Sequence, residues 1–153
     1  MPFVISGLSP EAFQPLFGLP DDDLHKNRAR RMVVDGPGYP ERIEMRDAEP
    51  GEVLLLVNFE HQGADTPFRS SHAVYVREGA KERWAGTAIP PVLAKRLLSL
   101  RAFSDDGMLV DADVVEGAHA EAVIERLFAD PAVAYIHAHY ARPGCYAARI
   151  ERG

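Results

Sequence analysis

Apolar and polar positions change their period several times along the chain, and each change marks an element. Val53 to Phe59, led in by Glu49-Pro50-Gly51, is a nearly continuous apolar run of strand length and reads as a central strand covered on both faces. His72 to Val76 is β-branched and aromatic and reads as a second strand. Pro90 to Leu98 carries Ile89, Leu93, Leu97 and Leu98 near one face, with proline in the first turn, and predicts an amphipathic helix. Leu100 to Phe103 and Met108 to Val115 flank Ser104-Asp105-Asp106-Gly107, a hairpin signal. Ala118 to Phe128 sets Ala122, Ile124, Leu127 and Phe128 close to one stripe and predicts a second main helix, ended by Asp130-Pro131. Two last strands, Ala132 to Tyr140 and Cys145 to Glu151, are joined around Arg142-Pro143-Gly144.

The first part of the chain is more broken. Phe3 to Ser6 is a short apolar run, and Ser9-Pro10-Glu11 reads as a helix start that Pro15 and Leu19-Pro20 interrupt. Asp21 to Asp23 suit the positive end of a short helix near Leu24. Arg30 to Val34 is strand-like and is closed by a loop rich in glycine and proline, Asp35 to Pro40. The pattern predicts an α+β fold: one domain over residues 1–153, with a mixed, mostly antiparallel sheet and two main helices packed on it.

Composition narrows the function. The chain has 153 residues, 46% hydrophobic and 26% charged, enough to bury a core without disulfides or metal. Its formal charge of −6 argues against nucleic acid as a partner, because such binding rests on clustered Lys and Arg. The one basic cluster, Arg28, Arg30 and Arg31, sits beside Asp21 to Asp23 and reads as a solvated mixed-charge face. One cysteine, Cys145, excludes an intrachain disulfide and fits a reducing compartment. No signal-like N-terminal pattern and no membrane-length apolar stretch is present, so a cytoplasmic protein with no membrane partner is expected.

Three groups of residues carry candidate chemistry. In His137-x-His139, alternate strand positions could aim two imidazoles at one metal ion, but spacing supplies no third ligand, and no metal and no cofactor are expected. The face they use depends on the final hairpin. An odd loop groups them with Cys145, Ala147, Arg149 and Glu151, an even loop with Tyr146, Ala148 and Ile150. Cys145 is a candidate nucleophile, with His139 or His72 as base and Arg142 lowering its pKa, against the plain reading of a small core residue. The segment Asp65-Thr66-Pro67-Phe68-Arg69-Ser70-Ser71-His72 combines a carboxylate, a guanidinium, hydroxyls and an imidazole. Here Arg69 could hold a carboxylate or phosphate, with Asp65, Ser70 and Ser71 around it, or the whole could be an ordinary surface loop. Dinucleotide, P-loop and nucleophile-elbow signatures are absent.

The segments LLLVNFEHQGADTPFRSSHAVYVR and IHAHYARPGCYAARIER, with the overall length, resemble the bacterial domain-of-unknown-function family 1203 across nearly the whole chain. The resemblance implies a typical single-domain member and brings no activity, cofactor or catalytic residue with it. The leading expectation is therefore an uncharacterised domain that binds a small polar or anionic ligand and could be enzymatic. Its site would join the Asp65 to His72 segment to His137, His139, Arg142 and Cys145. The alternatives are a cysteine/histidine-dependent enzyme, and a non-catalytic interaction module that uses a sheet edge or the surroundings of Trp84, with a homo-oligomer among its forms.

Overall fold

The computed structural model describes residues 2–153. It is mostly strands, arranged in two sheets with few helices. The strands are β1 (Phe3–Ser6), β2 (Ala29–Val33), β3 (Pro40–Glu41), β4 (Arg46–Asp47), β5 (Val53–Gln62), β6 (Ser70–Arg77), β7 (Ala85–Gly86), β8 (Leu97–Phe103), β9 (Leu109–Glu116), β10 (Tyr135–Tyr140) and β11 (Tyr146–Arg152). The helices are α1 (Asp21–Lys26), α2 (Pro91–Ala94) and α3 (Ala120–Phe128), with 3-10 turns at Pro10–Ala12, Gln14–Leu16 and Gly117–His119. The first sheet runs β7-β1-β11-β10-β8-β9 and the second β2-β5-β6-β3-β4. All pairings are antiparallel except β3 with β6. Among the described residues, no helix is long and apolar enough to cross a membrane.

The expectation of one sheet under two main helices is corrected in two respects. Among the described residues there are two sheets, and α3 is the single helix of more than two turns. The segment expected as a helix from Pro90 to Leu98 is helical only over Pro91–Ala94, and Leu97 and Leu98 pair instead with Glu116 and Val115. Its apolar residues satisfy both periods, and cross-strand pairing in a sheet of six strands outweighs propagation of a helix that is only four residues long. The sequence between the β5 and β6 strands also shrinks. A bulge between Glu60 and Gln62 carries β5 to residue 62, so the irregular stretch is residues 63–69.

The two faces of the first sheet serve different partners. Leu98, Leu100, Ala102, Ile136, Ala138, Ala148 and Ile150 alternate outward onto Ile124, Leu127 and Phe128 of α3, forming the larger core. The other face carries Ser99, Arg101, Phe103, Tyr135, His137, His139, Tyr146 and Arg149, and it meets the second sheet. There Tyr146 joins Leu55, Val57, Val74 and Val76 in a second core closed by Phe13 and Leu24.

Gly117 shows how tightly the α2 end is packed. A Cβ at this position would stand 1.8 Å from the carbonyl oxygen of Leu93 and 2.7 Å from that of Arg96, which also accepts the Gly117 N–H at 2.8 Å. Backbone cannot yield as a side chain tip can. Gly117→Ala is expected to destabilise the protein by about 2–4 kcal/mol in urea titration, whereas Gly36→Ala, at a site with open space, stays within about 0.5 kcal/mol.

Candidate functional site

The hairpin of β10 and β11 decides where each polar side chain goes. Its pairing runs Tyr135 with Glu151, His137 with Arg149 and Ala138 with Ala148, then shifts so that His139 lies opposite Tyr146. The bulge between Ala138 and His139 realises both parities: His137 follows the odd-loop pairing and His139 the even one. Both imidazoles therefore face the second sheet, and both are buried, at 2% and 1% exposure.

From the second sheet come two more. His61 continues the alternation Leu55, Val57, Phe59 into the bulged end of β5, and His72 stands opposite Phe59 on β6. The ring of His61 lies 5.0 Å from that of His139 and 6.0 Å from that of His137, and His72 lies 5.4 Å from His139. Four of the six histidines thus form one cluster. Tyr146 forms its floor, stacked on His61 at 5.0 Å and edge-on to His137 and His139. One ring nitrogen from each of His61, His137 and His139 lies within 4.8 Å of the others. The third imidazole that spacing along the chain did not supply is His61, a residue the sequence reading passed over; its signal was the alternation that places it in line with Val57 and Phe59.

Burial, reinforced by neighbouring positive charge, sets the protonation state. Desolvation pushes His61 down to about 4 and His137 and His139 to about 3, and it lowers His72 as well, with the Arg101 guanidinium adding to each. Arg101 itself is partly buried; its one hydrogen bond runs from Nε to Ser99 Oγ at 3.3 Å, and no carboxylate faces it among the described ion pairs. The cluster is neutral at pH 7.

Arg142 and Cys145 belong to a different place. Tyr140 and Ala73 follow His139 and His72 by one residue and so face the opposite way from them, toward a cavity of about 480 Å³ whose lining includes Arg42, Lys95, Arg96, Arg142 and Cys145. Arg42 is buried at 2% exposure and donates from Nε to the Tyr146 carbonyl at 2.9 Å, from Nη2 to Cys145 Sγ at 3.0 Å and from Nη1 to the Pro40 carbonyl. The Arg42 and Arg96 guanidiniums both lie over the Tyr140 ring, at 5.0 and 5.4 Å, and its buried hydroxyl has no hydrogen-bond partner among the described residues. Burial pushes that phenol up to about 12, so it is a neutral donor. Arg96 and Lys95 are both paired with Asp47.

Of the residues singled out from sequence, the structure brings His72, His137 and His139 together and separates them from Cys145 and Arg142. Among the described residues no hydrogen bond links Cys145 to a histidine: His139 Nδ1 lies 3.0 Å from the Gly144 carbonyl and His72 Nδ1 2.7 Å from His61 Nε2. The 65–71 segment does not converge on either place. Arg69 is exposed and paired with Glu60 at 2.6 Å, Ser70 Oγ donates to the Phe68 carbonyl, and Asp65 and Ser71 are exposed. Trp84 packs half-buried against the larger core, and its backbone N–H donates to the Ile43 carbonyl.

A two-sheet fold with an interior histidine cluster and a cationic cavity behind it is the class these features define. The chain belongs to the family described as protein of unknown function (DUF1203), which it matches over residues 38–152. It matches no curated protein and no solved structure.

Because the folded histidines titrate below the ordinary value of 6.5, the unfolded chain takes up more protons as pH falls. Stability is then full above about pH 6.5 and declines toward pH 3, by up to roughly 1.4 kcal/mol per pH unit for each of His137 and His139 and by less for the half-buried His61. Urea titrations of the metal-free protein between pH 7 and 4 should show this slope, and His137→Phe should flatten it.

Proposed function

We propose that this protein binds a small anionic ligand, of the size of a carboxylate or phosphate metabolite, in the cavity bounded by Arg42, Tyr140 and Arg142. The observation that carries the reading is the buried Arg42: among the described ion pairs it has none, and it opens on a concave space of about 480 Å³, within the usual range for small-molecule sites. A guanidinium removed from water without a counter-ion is destabilising, and an anion in the cavity relieves it. Arg142, likewise without an ion pair among the described residues, adds a second charge. The Tyr140 hydroxyl supplies a donor that nothing else uses.

Cys145 enters this reading as a sulfur that accepts from Arg42 at the cavity wall, not as half of a cysteine-histidine pair. The carboxylates nearby, Glu116 in the lining and Asp47 behind Lys95 and Arg96, leave the cavity cationic: four positive side chains face two negative ones. The reading predicts that phosphate or a dicarboxylate raises the melting temperature in a saturable way. Arg142→Ala and Tyr140→Phe should each weaken that binding by about tenfold or more while leaving the unliganded melt nearly unchanged. A panel of anions that gives only the uniform shift of added salt would refute it.

A second reading, self-association, draws on one observation. The edge strand β9 exposes Leu109, Val110 and Val114 beside Met108, on a sheet edge that no other strand covers. Antiparallel pairing of β9 with that of a second copy would show as a concentration-dependent dimer in sedimentation, abolished by Val110→Lys. A monomer at all concentrations would dispose of it.

A further inference from the structure

We propose that His61, His137 and His139 form a binding site for one divalent transition-metal ion, with an anion completing its coordination beside Arg101. Four imidazoles in a sheet-to-sheet interface are an unusual use of core volume, and simple packing does not account for their polar atoms. The Nδ1 atoms of His61 and His137 are buried without any hydrogen-bond partner among the described residues. A buried polar atom of this kind is destabilising if nothing meets it.

The carbonyl contact of His139 fixes one lone pair, and one of the two tautomers open to His61 supplies a second. A carbonyl oxygen only accepts, so His139 carries its proton on Nδ1 toward Gly144 and keeps Nε2 as a lone pair. His61 Nε2 lies 2.7 Å from His72 Nδ1, and the tautomer in which His61 donates leaves its own buried Nδ1 as a lone pair. That arrangement, a ligand imidazole donating its second nitrogen to an outer acceptor, is how proteins orient metal-bound histidines. Here Gly144 supplies the outer partner for His139 and His72 for His61. One nitrogen of each ring lies within 4.8 Å of those of the other two, so side-chain shifts of about 1 Å bring three nitrogens to a common ion at about 2.0–2.1 Å.

The charge around the cluster selects the ligand class. Imidazole suits zinc, copper, nickel and iron, and no cysteine or carboxylate is present in the triad to turn it toward hard cations. The positive groups facing it, Arg101 across the strand pair from His137 and Arg149 on the other side, oppose a bare dication. They favour one that carries hydroxide or a small carboxylate in the position the protein leaves open. Half-buried His61 and His72, at the rim where the two sheets meet, give the ion its way in.

The test uses the full chain, stripped with chelator, titrated with Co2+ and followed by visible absorption and by NMR of the histidine rings. The expected result is one Co2+ per chain with ligand-field absorption, competed out by Zn2+, and paramagnetic shifts confined to the cluster while exposed His25 and His119 are unmoved. His61→Phe, which keeps a ring on Tyr146, and His139→Gln should each lower affinity by at least 100-fold. His72→Asn should lower it by roughly 10–100-fold through the outer contact, and Arg142→Ala should leave it unchanged. If the buried variants fail to fold, the ring shifts of the unaltered protein still decide the matter. Absence of saturable one-to-one binding, or shifts at His25 or His119 in place of His61, His137 and His139, overturns the proposal.

Discussion

The bulge in the β10–β11 hairpin is the constraint on which both candidate sites depend. Without it, one parity would run the length of the hairpin, and His137 and His139 could not stand opposite Arg149 and Tyr146 respectively. The extra residue is absorbed on β11 between Tyr146 and Ala148, where Ala147 is buried and small enough to be taken into the larger core. As a result the hairpin sends the imidazoles and the Tyr146 ring between the sheets, and Tyr140 and Cys145 toward the cationic cavity. Arg42 then ties the two sides together, since its guanidinium reaches both the Tyr146 carbonyl and the Cys145 sulfur.

The two places require opposite electrostatics at close quarters. The histidine cluster is usable as a set of ligands only when neutral, and desolvation with Arg101 nearby holds it so. The proposed anion in the cavity would rest on the general property that a guanidinium keeps its charge when buried. Histidine yields its proton to burial and arginine does not, so one protein interior can hold a neutral nitrogen-rich cluster and a cationic cavity on opposite sides of one hairpin. Neither arrangement is what packing alone would select: an apolar residue at His137 or Arg42 would fill the space at lower desolvation cost.

Much of the element order was legible along the chain. The β8–β9 hairpin around Asp106-Gly107, α3 and its stop at Asp130-Pro131, and the broken helical turns before Leu24 all follow from local patterns, because turn chemistry and a 3.6-residue stripe act over a few residues. The Pro90 to Leu98 segment was not legible, since its leucines fit a helix and a strand equally and only the neighbouring strands β9 and β10 decide between them. His72, His137 and His139 were recognisable as candidate chemistry. Arg69 and Ser70 looked equally suitable in sequence, yet Glu60 and the local backbone satisfy them on the surface.

What the amino-acid sequence determined by itself was the supply: six histidines, one cysteine, apolar strands with polar residues at alternate positions, and a net negative charge. Tertiary structure alone decided which of these meet. His61 and His139 are 78 positions apart in numbering and come together because two sheets pack face to face. Arg42 and Cys145, separated by 103 positions, do so because β3 is carried to the end of the hairpin. Contacts of that range depend on strand order and on a single bulged residue, and neither has a local signature, since register is set by the summed packing of both faces and not by any one stretch of chain.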